Sequence, residues 1–197
     1  MGRVSKSRDK RRGRDNRHSD PRGMVAVFGD EKLDALLAEK SEPFILVLDG
    51  IQDPHNLGAC LRSADAAGVD AVVVPKNRAA PLTPTVRKIS CGAAENVIFI
   101  QVVNIPRAIE RMAKAGVFVV GTSDRGAKSL YEIDLTGSTA IVIGSEAEGM
   151  RRLTSERCDV LVSIPMRGKV ECLNASVATG VVLFEALRQK MAGDTQR

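Results

Sequence analysis

The chain has 197 residues, 44% of them hydrophobic but only 3% aromatic, so one core domain built from Val, Ile, Leu and Ala is expected. Two histidines and four widely spaced cysteines without a C-x-x-C pair argue against a zinc site or a disulfide framework and for a reducing, cytoplasmic compartment. The net charge of +5 is uneven: residues 1–23 carry nine Lys/Arg against three Asp, leaving −1 for residues 24–197.

The opening "MGRVSKSRDKRRGRDNRHSDPRG" has almost no large apolar side chain to offset the entropy of ordering. It is expected to be a disordered basic tail. Its charge suits a polyanion, RNA foremost, although a solubilising leader has the same composition. No apolar stretch follows that would make it a signal peptide, and no run is long enough to span a membrane. Residues 24–42 form a short amphipathic linker, with Leu33, Leu36 and Leu37 at helical spacing over 31–40.

From Pro43 to the C-terminus, apolar runs alternate with helical patterns. Strands are predicted at 44–50, 71–75, 97–102, 117–122, 139–146 and 160–166. Helices are predicted at 56–68, 84–95, 105–116, about 150–156, and from Leu173 to about Lys190. The strands are continuous apolar runs, not alternating ones, so the domain at 43–197 is α/β, with a mostly parallel sheet and helices on both faces.

Several nucleotide and catalytic signatures are absent. The first strand leads into "DGIQDPHNLGA" without G-x-G-x-x-G, and "GSEAEGMR" lacks the Lys-Ser/Thr of a P-loop. There is no G-x-S-x-G elbow and no metal-ligand spacing. Three polar clusters do follow strand ends, where open parallel sheets bind ligands. They hold Asn56 and Arg62, then Glu146, then Asn174 and Ser176. Taken singly, Asn56 reads as a helix cap, Arg62 as a solvated cation and Glu146 as a capping acid. Three clusters on one sheet edge point to a site.

The segments "DPHNLGACLRSADAAG", "IGSEAEGMRRL" and "SIPMRGKVECLNASVATGVVLFEALRQ" resemble the three ordered motifs of the SpoU family. These are S-adenosyl-L-methionine-dependent RNA ribose 2′-O-methyltransferases of the SPOUT superfamily. The resemblance spans about residues 43–190 and is nearest to enzymes acting on a guanosine of large-subunit ribosomal RNA. It implies a C-terminal trefoil knot, a homodimer with the last helix at its interface, an RNA partner, and no metal. It assigns catalysis to Arg62, Asn56, Glu146 and Asn174. It assigns the cofactor to Thr122, Gly144, Ile164, Met166, Leu173 and Cys172, the last standing where many relatives have Ser. A thiol is a weaker hydrogen-bond donor than a hydroxyl. The knot gives a reason for the small, polar start of the last helix, where backbones must approach closely and polar groups face the pocket. Close relatives carry an RNA-binding domain ahead of the catalytic one, and residues 1–42 are too few for it. A tRNA guanosine is the alternative substrate, and a non-catalytic RNA-binding or ribosome-assembly module the alternative in kind.

Overall fold

Eight parallel strands form one sheet in a computed structural model that describes residues 26–124, 126–145 and 147–194. The basic tail and Glu146 lie outside the described residues. In chain order the strands are β1 (Val27–Phe28), β2 (Phe44–Asp49), β3 (Ala71–Pro75), β4 (Ile98–Val102), β5 (Phe118–Thr122), β6 (Lys128–Ser129), β7 (Thr139–Gly144) and β8 (Val160–Ser163). Their order across the sheet is β1-β4-β3-β2-β7-β5-β8-β6. The register aligns Asp49, the last residue of β2, with Gly144, the last of β7.

The helices are α1 (Asp30–Glu39), α2 (Pro54–Ala66), α3 (Pro84–Ser90), α4 (Ala93–Asn96), α5 (Ile105–Lys114), α6 (Arg152–Ser155) and α7 (Ala175–Asp194). Successive strand residues point to opposite faces, and each face has its own core. Leu46, Leu48, Val72, Val74, Ile141 and Ile143 pack with Leu57 and Leu61 of α2 and Val182, Leu183 and Ala186 of α7. Ile45, Val47, Val73, Val119 and Val142 pack with Leu33 and Leu36 of α1 and Ile105, Ile109 and Met112 of α5. Every residue of β2, β3 and β7 is buried. That explains the continuous apolar runs, and the expected helix-covered parallel sheet is present.

The boundaries differ in instructive places. The helix expected over 84–95 is two helices, parted at Cys91 and Gly92, which both take left-handed conformations (φ 53° and 94°). β7 stops at Gly144, two residues short of the prediction, because Ser145 and Gly149 pair across a tight loop. β8 stops at Ser163 and not at Met166. β1 and β6, two residues each, carry too little pattern to be read from sequence. Asn56 is not the cap of α2. Asp53 is, its carboxylate accepting the His55 N–H at 3.0 Å, with Pro54 opening the helix.

α7 starts at Ala175, with Asn174 as its cap: the Asn174 Oδ1 accepts the Ser176 N–H at 2.9 Å and the Ser176 hydroxyl at 2.6 Å. Ala175 and Thr179 are small because they are buried where α7 crosses α2. The Thr179 hydroxyl donates to the Ala175 carbonyl and lies 3.4 Å from Cys60 Sγ. Gly180 is a different case. A Cβ there would meet only Ser63 Oγ, at an ordinary 3.7 Å, so close approach does not require this glycine.

Candidate active site

In an all-parallel sheet the carboxyl ends of the strands share one edge. There, beyond β5, β7 and β8, lies a cleft of about 520 Å³, within the size range of small-molecule sites. Its walls are Thr122–Asp124 after β5, the Gly144–Met150 loop after β7, the 164–173 segment after β8, and Ala175 and Ala178 of α7. All six residues assigned to the cofactor line it: Thr122, Gly144, Ile164, Met166, Cys172 and Leu173.

Each wall has a local cause. Thr122 donates its hydroxyl to the Val142 carbonyl at 3.2 Å, which ties β5 to β7 at the cleft floor. At Gly144 a Cβ would lie 2.2 Å from both Gly149 C and Met150 N, so only glycine lets the loop fold back on its own strand. Ser145 and Gly149 exchange two backbone hydrogen bonds of 3.0 and 2.9 Å, and the Ser145 Oγ accepts the Glu148 N–H at 3.3 Å. At Gly121 a Cβ would run into Met150, Leu161 and Cys158. Burial, then the charges of Asp159 and Asp49, push the Cys158 thiol up to about 12, so it packs as an apolar group.

The lining is apolar over Ile143, Leu161, Val162, Ile164 and Leu173, with hydroxyls from Thr122, Ser123, Ser145 and Ser155. Its charged residues are Asp124, Glu148 and Glu171, and no Lys or Arg stands among the described residues that line it. Such a cleft suits a ligand with an apolar body and positive charge. It disfavours a phosphate chain.

Beside the cleft, α2 and α7 meet through two amides. Asn174 Nδ2 donates to Asn56 Oδ1 at 3.0 Å. One side chain therefore caps α7 and reaches α2, with its neighbours Leu173 and Ala175 both lining the cleft. Arg62 stands apart from the cleft lining. It lies six residues further along α2, nearly two turns, is exposed, and directs Nη1 at Cys91 Sγ at 3.5 Å. The described structure thus joins Asn56 with Asn174 and holds Arg62 at the neighbouring α3–α4 break.

Sequence reasoning missed one pair. The Asp49 side chain is fully buried at the end of β2. It accepts the Arg151 backbone N–H at 3.1 Å and Nε at 2.8 Å, with Arg151 Nη2 on the same oxygen as Nε. Their 102-residue separation left a single signal, an acid closing an otherwise apolar strand.

A family model described as the SpoU rRNA Methylase family matches residues 43–184. The chain belongs to the SpoU rRNA methylase family. It is similar to the 23S rRNA (guanosine-2′-O-)-methyltransferase RlmB of Vibrio cholerae, 56% identical over 165 residues that cover 84% of this chain and 67% of that protein. The RlmB of Pseudomonas syringae pv. tomato is 57% identical over 168 residues, with the same coverage. Among solved structures, the SpoU methyltransferase AviRb of Streptomyces viridochromogenes, in complex with the cofactor AdoMet, matches with a TM-score of 0.71 and 30% identity. That match covers 78% of this chain and 60% of AviRb. The chain therefore spans about two thirds of the length of its curated SpoU relatives and less of this structural one. No described helix is long and apolar enough to cross a membrane.

Proposed function

We propose that this chain transfers a methyl group from S-adenosylmethionine to a ribose 2′-OH of ribosomal RNA, at a guanosine of the 23S molecule. One observation carries the reading. The six residues assigned to the cofactor line a single cleft whose charges, among the described residues, are all carboxylates, and the Asn56–Asn174 pair stands at its side.

S-adenosylmethionine, when bound, supplies a sulfonium-activated methyl group and carries positive charge. Asp124, Glu148 and Glu171 place negative potential around that charge, and the apolar walls take the adenosine. The hydroxyl is a weak nucleophile, so the chain must fix it in line with the methyl carbon while its proton passes to solvent. Asn174, held by its cap bond and by Asn56, is a pre-organised amide at that point. Arg62 presents a planar guanidinium that donates hydrogen bonds and accepts none. Its guanidinium acts by drawing an RNA phosphate, and with it the ribose, towards the cleft. Glu146, assigned by the motif resemblance, completes the set by orienting the ribose or Arg62.

The reading includes the family's knot. It rests on the resemblance of the three motifs; at Gly126, where a Cβ would lie 2.3 Å from the Val162 carbonyl carbon, the loop after β5 runs against the exit of β8 on its way into the β6–β8 pairing. The reading also includes a homodimer across α7 in the cytoplasm. Leu183 faces the core, whereas Val177, Phe184 and Met191 are 51%, 48% and 62% exposed. They recur every seven residues and so lie along one side of the helix.

The deciding experiment incubates the protein with S-adenosylmethionine and an unmodified 23S rRNA transcript, then maps 2′-O-methyl groups. One guanosine should become methylated. Methylation of tRNA alone would move the substrate, and cofactor binding without transfer to either RNA would remove the enzymatic reading.

A further inference from the structure

The cleft and the nearby surface have opposite charge. Residues 76–94 hold Lys76, Arg78, Arg87 and Lys88 and no carboxylate. Arg87 is matched by Glu95 at 2.8 Å. Lys76, Arg78 and Lys88 are exposed, with no carboxylate partner among the described residues.

The fold sets these cations beside the site. Lys76 follows β3 directly, and its backbone N–H is held by the Val102 carbonyl at 2.8 Å. Four residues on, the Ala80 N–H donates to the Ile51 carbonyl at 2.9 Å, in the turn that leads into α2 and Asn56. The loop is thereby pinned along the entrance to α2. Between these two anchors Arg78 takes a left-handed conformation, φ 63°, uncommon for any residue but glycine, Asn or Asp. Lys88 belongs to α3, which packs against α2 so closely that a Cβ at Gly58 would come within 2.8 Å of Ile89. Cys91, on which Arg62 rests, directly follows α3 as its cap.

We propose that Lys76, Arg78 and Lys88, with Arg62, form the track that binds the RNA backbone next to the target nucleotide. This rests on the reading of the chain as an RNA methyltransferase. Among the described residues the charges that line the cleft are all carboxylates, which disfavours phosphates there, so the strand carrying the target ribose needs a cationic run outside it. The surface around α2 and α3 supplies that run, and α2 itself carries both Arg62 and the Asn56 that meets Asn174. Arg78 has a positional purpose here: its turn costs conformational strain that glycine would avoid, and a guanidinium is what the position keeps. The track contacts phosphates and therefore fixes register without reading sequence.

The test measures binding of a 23S rRNA transcript over a series of salt concentrations. In the variant K76A/R78G/K88A the glycine relieves the left-handed turn, so the fold is kept. Each lost phosphate contact lowers the slope of log K against log salt by about 0.7 to 0.9. The triple variant should lose about two units of slope and roughly tenfold or more in RNA affinity at moderate salt. Its S-adenosylmethionine affinity by calorimetry should match wild type. Lys114→Ala, one exposed cation at the end of α5, should keep the wild-type slope. An unchanged slope in the triple variant, or an equal loss per cation in Lys114→Ala, overturns the track. A wild-type chain that binds the transcript through these residues but transfers no methyl group would leave the track standing and remove the catalytic reading instead.

Discussion

Arg151 closes the loop after β7 by returning to Asp49, on the strand next to the one the loop leaves. Gly144 pairs with Asp49 in register, and seven residues later the Arg151 backbone and guanidinium bind the same carboxylate. The loop between them therefore begins and ends on one buried group. This pre-organises its backbone towards the cleft before any ligand arrives.

Asp49→Asn keeps an acceptor for the Arg151 N–H and removes the charge that holds the guanidinium. We expect S-adenosylmethionine affinity to fall roughly tenfold or more, for a loss on the order of 1–3 kcal/mol in a charged hydrogen bond. The far-UV spectrum should not change. Calorimetry within twofold of wild type would show that the loop does not depend on this pair.

Two glycines should respond in opposite directions. Gly144→Ala places a methyl group 2.2 Å from the loop backbone, so the loop must move and cofactor binding should be lost. Gly180→Ala on α7 meets only Ser63 Oγ at 3.7 Å and should stabilise the fold by about 0.5–1 kcal/mol. Thermal melts of both variants check this, and a destabilised Gly180→Ala would mean that α7 and α2 are closer than described.

Asn174 has two tasks that one atom change separates. Asn174→Asp keeps the oxygen that accepts from Ser176 and loses the amide that donates to Asn56. Helix stability should hold, because Asp caps as well as Asn, while methyl transfer should fall at least about tenfold, one hydrogen bond of about 1.4 kcal/mol. Asn174→Ala should lose both, with about 1 kcal/mol of stability gone along with the cap. If Asn174→Asp is as active as wild type, the contact with Asn56 is structural.

The four cysteines are free and differ in reach. A thiol reagent near pH 8 should modify the exposed Cys91 and Cys172 and spare Cys60 and Cys158, which are removed by burial and, at Cys158, by a thiol pushed up to about 12. Cys172 lines the cleft and Cys91 does not. S-adenosylhomocysteine should therefore slow labelling of Cys172 and not of Cys91. Mass spectrometry of the labelled peptides decides it, and equal protection at both would place the cofactor elsewhere.

Much of the fold was legible because the sheet is buried on both sides. Runs such as "FILVLD" and "AVVVP" have no partner state except a covered parallel strand. The six residues assigned to the cofactor were reached through the resemblance, and one cleft brings them together. What the sequence hid was long-range or local in a different way. Asp49 and Arg151 are both common residues and acquire meaning only when β2 and β7 align. Asp53 outcompeted Asn56 as cap because Pro54 must sit in the first helical turn. The break at Cys91 and Gly92 was invisible because one cysteine in a left-handed turn has no compositional mark. On α7, neighbouring Leu183 and Phe184 look alike in sequence, and only the packing of α7 on the sheet sends one inward and the other out.

That division of α7 sets the last prediction. Val177, Phe184 and Met191 are exposed and lie seven residues apart, on one side of a 20-residue helix. Side chains that large are costly to leave in water when they line up. A second copy presenting the same stripe would cover them in an isologous pair. Phe184→Glu places a charge at the middle of the stripe and touches neither the core, where Leu183 sits, nor the cleft. The variant should keep its fold and shift from dimer to monomer in sedimentation at micromolar concentration, losing activity if the pocket depends on the second chain. Leu183→Ala should instead cost about 2–5 kcal/mol of stability. A wild-type chain that is monomeric and fully active under the same conditions would show that this stripe serves no dimer.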